Sequence, residues 1–208
     1  MSPRSRLMMI SVVALAAISG CASQDPVGIR IDMQKSGSGT IAVASLSLPE
    51  ITREMAARSD GVAWNMDARL TVSTGAFETL DGIRVEDLQV QAREFGDDGS
   101  GALRIRIPCG ADASWFRSLH VSPADRGSLR KALEQSINEI ELHENVTIAV
   151  EIEEARVAGS LVNPIPRVTV SSKEGTCTLV VPLEILESRS DPMVLVLNWE
   201  RPTPNTNR

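Results

Sequence analysis

The stretch Val146-Thr147-Ile148-Ala149-Val150-Glu151-Ile152 puts an aliphatic, β-branched residue at every second position. A period of two is that of a strand, whose side chains point alternately to its two faces. β-branched side chains also pack well on a pleated surface. The stretch therefore predicts a strand with one buried face. The same signature recurs on both sides of it. Upstream, Leu103, Ile105 and Ile107 alternate against Arg104 and Arg106, and Val27, Ile29, Ile31 and Met33 against Gly28, Arg30 and Asp32. Residues 40–48 follow the turn cluster Lys35-Ser36-Gly37-Ser38-Gly39, giving a hairpin. Their apolar parity slips from Ile41 and Val43 to Leu46 and Leu48, which predicts a bulge near Ala44-Ser45. Residues 67–73, with Leu70 and Val72 on one face, and residues 83–92 read as two further strands, the latter also slipping in parity after Val85. Downstream, Asn163-Pro164-Ile165-Pro166 is a loop. Residues 167–171 and 176–182 form a hairpin around Lys173-Glu174-Gly175, and residues 193–199, apolar on both faces, suit an interior strand.

Three helices interrupt this pattern. Pro49 starts a short one that reaches Arg58, with Ile51 and Met55 on its apolar side. Residues 111–120 give a second, carrying Trp115, Phe116 and Leu119, an aromatic pair that reads as core. A longer one opens on Ser122-Pro123-Ala124-Asp125 and runs to about Leu142, with Leu129, Leu133, Ile137 and Ile140 as its apolar stripe. Gly127 weakens its start, leaving Ser128 as an alternative cap, and Arg130 and Glu134 are spaced as an i,i+4 pair. The expected class is α+β: a mostly antiparallel sheet of about nine or ten strands with one longer and two short helices. No Pro/Gly/Ser linker divides residues 27–199, so one domain is expected there, followed by a loose tail at 200–208.

Composition narrows the function classes. The 208 residues are 42% hydrophobic and 23% charged, proportions of a globular chain rather than a disordered or multi-span one. A net charge of −6 disfavours nucleic acid as a partner. Three Trp, three Phe and no Tyr leave few side chains for an aromatic binding platform.

The N-terminus carries the most specific signal. Arg4 and Arg6 precede an apolar run at 7–18, which is shorter than the ~20 residues of a spanning helix. The run ends in Ile18-Ser19-Gly20-Cys21. This resembles the lipobox of bacterial lipoproteins, with Ile18 where Leu is usual. The resemblance covers residues 1–21 and implies that Cys21 is acylated and becomes the mature N-terminus after removal of residues 1–20. An ordinary secretory signal cut after Ala14-Leu15-Ala16 is the competing reading. Ala22, where Asp would favour the inner membrane in Gram-negative bacteria, points to the periplasmic face of an outer membrane. Residues 22–26 then form a short tether of under ~20 Å. Loss of Arg4 and Arg6 makes the body two charges more negative than the whole chain. No basic patch for anionic lipid is apparent, so attachment is assigned to the acyl chains. The opening strand and its Ser-Gly-Ser-Gly turn also resemble LppM-like lipoproteins over about thirty residues; no function or site residue is carried over from that likeness.

With Cys21 acylated, Cys109 and Cys177 remain as an even pair in an oxidising compartment. Each shares the parity of the apolar residues beside it, so a Cys109–Cys177 disulfide is expected, with two separate buried thiols as the alternative. No cofactor or metal is expected: HExxH, CxxC, GxSxG, Walker A and GxGxxG are all missing from the sequence. His120 and His143 read as helix-end residues, and Asp97-Asp98 and Glu151, Glu153 and Glu154 as solvated acids. The sequence thus points to a non-enzymatic, membrane-anchored extracytoplasmic domain that binds an envelope protein or lipid. A carrier of an apolar ligand and an envelope hydrolase with an unrecognised site are the alternatives.

Overall fold

The computed structural model describes residues 23–48, 68–96, 99–110, 113–119, 123–134 and 141–201. It opens on the two-residue strand β1 (Ser23–Gln24), followed by β2 (Val27–Met33), β3 (Gly39–Ser47) and β4 (Arg69–Phe77). A 3-10 turn at Leu80–Gly82 leads into β5 (Arg84–Val85), β6 (Leu88–Phe95) and β7 (Gly101–Ile107). Helices α1 (Ser114–Leu119) and α2 (Pro123–Glu134) come next, then β8 (Glu141–Leu142). The second half contains β9 (Asn145–Ile152), β10 (Arg156–Leu161), β11 (Thr169–Lys173), β12 (Thr176–Pro182), helix α3 (Leu183–Ser188) and β13 (Met193–Glu200).

The larger strands form two sheets. One has six strands in the order β11-β12-β9-β2-β3-β4, the other five in the order β10-β13-β7-β6-β5. All neighbours are antiparallel except β2–β9 and the small β1–β8 pair. The α+β, mostly antiparallel expectation therefore holds at that level, with the strands divided between two sheets rather than gathered in one. The inward faces share one core. Val27, Ile29 and Ile31 of β2 and Ile148 and Val150 of β9 meet Leu103 and Ile105 of β7 and Leu195 and Leu197 of β13, all at most 1% exposed. Burial of each such side chain contributes about 1.5–3 kcal/mol. Trp115 and Phe116 of α1 and Trp199 of β13 join the same core. Helix α1 packs near β3, and its first amides are held by Asp87 in the β5–β6 turn, so it spans the two sheets along one side. On the other side β10 and β11 lie against each other, with the Gly159 amide donating to Ser172 Oγ at 3.2 Å. The base of the sandwich is the end where β2 and β9 begin and β12 passes through α3 into β13. The rim is the end holding Met33, Ile152 and the β9–β10 turn.

A second cluster lies on the outer side of the six-stranded sheet, where Leu46 and Leu48 pack with Leu129, Ala132 and Leu133 of α2 and with Leu142. It accounts for the parity slip in β3. That strand keeps continuous register with both β2 and β4, so the expected bulge near Ala44-Ser45 is not formed. Ile41 and Val43 instead serve the main core while Leu46 and Leu48 serve the cluster under α2. Leu70 and Val72 do share a face, paired with Leu46 and Ala44, yet both stand exposed on the edge strand β4. The slip after Val85 is a two-residue turn, Glu86-Asp87, that divides residues 83–92 into β5 and β6. The one register irregularity of that hairpin system falls later, between Ala92 and Glu94.

Three further expectations are corrected. Helix α2 does begin at Pro123, but Glu141 and Leu142 belong to β8, paired with Ser23 and Gln24. Arg130 pairs with Glu144 rather than with Glu134. The Cys109–Cys177 bridge is not formed: both are free, buried thiols. Shared parity does not make strands neighbours, and Cys109 follows β7 at the base whereas Cys177 lies near the rim, paired laterally with Val150 and Ser172. The expected helix at 49–58, His120, Asp97-Asp98 and Cys21 lie outside the described residues.

Candidate functional site

The first described residues are not a loose tether. Ser23 and Gln24 pair in parallel with Glu141 and Leu142. Asp25 Oδ2 then accepts a hydrogen bond from Thr147 Oγ1 of β9, and the Pro26 carbonyl accepts from the Leu46 amide at 2.9 Å. His143 Nδ1 stands 3.5 Å from Asp25 Oδ1. A hydroxyl, a carboxylate and an imidazole are thus gathered, but in the wrong order for nucleophilic catalysis. The Thr147 hydroxyl donates to the acid, whereas an activated nucleophile needs its proton taken by the base. The arrangement fastens the chain to the base of the sandwich and leaves only Ala22 between Cys21 and the first paired residue.

The rim holds an open cleft of about 590 Å³ lined by Asp32, Glu151, Glu153, Glu154, Glu174 and Arg156, among others. It is the place to which β9 and the β9–β10 turn bring the acidic run read from the sequence. Arg30 pairs with both Asp32 and Glu151, Lys35 pairs with Glu154, and the Lys35 amide reaches Glu153 at 3.2 Å. Much of the acidity is therefore compensated locally. No cluster of three metal-ligating side chains occurs among the described residues.

The outer face of the five-stranded sheet is different in kind. Strand alternation turns Leu103, Ile105 and Ile107 inward, and so turns Arg104 and Arg106 outward. Register then aligns Arg106 with Gln89 of β6, and Gln89 with Arg84 of β5, while Arg104 lies beside Gln91. Arg156 occupies the far corner, opposite Glu200. Among the described residues none of these four arginine side chains forms an ion pair or hydrogen bond, in contrast to those of Arg30, Arg126, Arg130 and Arg167, which all hold carboxylates. At the base of this face lies a hollow of about 200 Å³ whose walls include Arg104, Arg189, Asn163 and the apolar Val162, Ile165 and Met193. Arg104 Nε is buried there without a hydrogen-bond partner among the described residues.

Among the described residues, three groups depart from their ordinary acid–base behaviour. Burial pushes the thiols of Cys109 and Cys177 up, which keeps both protonated and unreactive. Cys109 Sγ lies 3.4 Å from the Ile107 carbonyl, and Ser172 bonds to Cys177. Partial burial alone would raise Asp87. The amides of Trp115 and Ser114, at 2.8 and 3.2 Å, and the Ser114 side chain outweigh it and hold the carboxyl below its usual value. Asp87 thus caps α1 from 27 residues upstream, a role no local pattern marks. The arginine face was equally hidden. Arg104 and Arg106 read only as the polar half of an alternation, and Arg84 joins them through register rather than sequence proximity. The chain matches no protein-family model, no curated protein and no solved structure.

Proposed function

We propose that this chain is a lipid-anchored, extracytoplasmic binding domain, non-enzymatic, held on a membrane by acyl chains on Cys21 and acting through its outer surface. The observation that carries the reading is the sequence at 4–21: two arginines, a short apolar run, and Ile18-Ser19-Gly20-Cys21. The β1–β8 pairing supports a short link to the membrane, because β1 begins at Ser23, two positions after the residue that would bear the lipid. Action through the surface rather than an enclosed cavity is supported by the fully buried Trp115, Trp199 and isoleucines between the sheets. The histidine–acid geometry at Asp25 likewise favours binding over hydrolysis.

The test is Cys21→Ser in the expressing bacterium. The wild-type chain is expected to partition into the detergent phase and to gain the mass of its acyl groups on an N-terminal Cys21. The variant is expected to lose both properties. Equal detergent partitioning of the two chains, or a wild-type N-terminus at residue 17, would replace lipid anchoring with ordinary secretion.

A further inference from the structure

The arginines on the outer face of the five-stranded sheet contrast with a chain that carries 27 acids against 21 lysines and arginines. Net charge conceals the face, because several cations elsewhere are consumed: Arg30, Lys35, Arg126, Arg130 and Arg167 are each opposite a carboxylate. Arg84, Arg104 and Arg106 instead converge across three adjacent strands, separated by the uncharged Gln89 and Gln91. Neighbouring strands are ~4.8 Å apart and alternate residues of one strand ~7 Å apart, so the three guanidinium stems rise from a patch on the order of 10 Å across. The acids nearest Arg84 in sequence are Asp81, which accepts from the Ala92 amide at 2.9 Å, and Glu86 and Asp87 in the β5–β6 turn, of which Asp87 holds the α1 amides.

We propose that this face docks on anionic phospholipid headgroups of the leaflet in which Cys21 is anchored, with the hollow between Arg104 and Arg189 receiving a headgroup phosphate. The proposal deepens the function proposed above and rests on it for the choice of lipid over other polyanions. Two observations select that occupant. The first is charge complementarity: guanidinium groups match phosphate oxygens in both geometry and sign. The hollow adds to this by bringing the Arg104 and Arg189 side chains to one cavity of about 200 Å³. The second is reach. Cys21 lies two positions before Ser23, which is already paired, so the anchor sits within about 7 Å of the folded body. Arg84, Arg106 and the hollow occupy the base half of their face, the end from which that anchor emerges. A body held so closely must touch the leaflet, and the arginine face is the side that gains most by doing so. Each basic residue brought to an anionic surface improves partitioning about fivefold.

The test uses the full chain in vesicles, with a fluorophore attached at Gln91→Cys on the arginine face or at Thr74→Cys on the outer face of the opposite sheet. Both positions are exposed. Headgroup-labelled nitroxide lipid then quenches whichever label lies at the surface. In phosphatidylcholine vesicles containing phosphatidylglycerol, quenching at position 91 is expected to exceed that at position 74 several-fold, and the excess should collapse at high salt. The triple variant Arg84→Gln, Arg104→Gln, Arg106→Gln should abolish the excess, and replacement of all three by Lys should restore most of it, which separates charge from folding. Equal quenching at the two positions overturns the docking, whether or not Cys21 is acylated. Mass spectrometry of the same chain scores the acyl anchor independently. Salt-sensitive capture of polyglutamate with no preference for anionic vesicles would also overturn it, by assigning the face to an acidic protein.

Discussion

Gly159 shows how much one missing Cβ can decide. A methyl group there would lie 2.2 Å from Cys177 Sγ, and Val170 Cγ1 is 3.3 Å away. The glycine is what lets β10 lie close to β12 along the closed side of the sandwich. Gly159→Ala is expected to cost about 1–3 kcal/mol by overpacking. Adding Cys177→Ala, which removes the sulfur in the way, should recover part of that loss; denaturant titrations of the two single variants and the double measure the coupling. Simple additivity would show that the two positions are not in conflict. Asp87 gives a second residue-scale expectation. Its carboxylate is stabilised in the folded state, so the stability it contributes is present above the unfolded aspartate value near ~3.9 and is lost as pH falls through the lower folded value. Asp87→Asn should lower stability at neutral pH by about 1 kcal/mol and flatten the acid limb of the stability profile below about pH 4. A profile unchanged by the substitution would mean that the α1 amides are satisfied without it.

At the scale of elements, α2 carries a correctable weakness. Gly127 is helical and exposed, and a Cβ built on it meets nothing within 4 Å. Gly127→Ala should therefore raise stability by about 0.5–1 kcal/mol, read as an upward shift in melting temperature. Unchanged melting would indicate that α2 frays before the sandwich unfolds. Elements also mark where sequence reading succeeded and failed. The strict alternation of 103–107 and 146–152 identified β7 and β9, because one face of each is buried against the other sheet. Glu174-Gly175 identified the β11–β12 turn, where both residues take positive φ. In β3 the apolar pattern was visible, but two separate cores on opposite faces imitate a bulge. Strand β10 escaped notice because Gly159 interrupts it, and α3 because its six residues are too few to show a helical period. Strands β1 and β8 exist only through each other, so neither had a local signal. The candidate site divides in the same way: the proposed lipobox is a linear motif that the sequence alone displays, whereas the arginine face is created by register among three strands.

For the whole molecule, the fastening of residues 23–26 sets where freedom can be introduced. A flexible Gly/Ser spacer placed after Ala22 lengthens the link to Cys21 without breaking β1, so thermal melting should be unchanged while headgroup quenching at position 91 weakens. The same spacer placed after Gln24 separates β1 from β2 and should lower the melting temperature by a few degrees, reflecting a loss of about 1 kcal/mol. Identical melting of both insertions would mean that the β1–β8 pairing contributes nothing to the fold.

The position of β13 carries a consequence for how the chain acquires its structure. This last strand lies between β10 and β7, and β2, the first long strand, lies beside β9 from the second half. Neither sheet can be completed from the N-terminal half alone, and the five-stranded one waits for the final residues to be delivered. Such distant pairings make loop closure expensive early, so the two sheets close late relative to their local hairpins. Local pairs such as β2–β3 and β6–β7 can form early, but the five-stranded sheet closes only when β13 inserts between β10 and β7. The order of strands in the sheets thus places closure of the core late in the assembly of the chain.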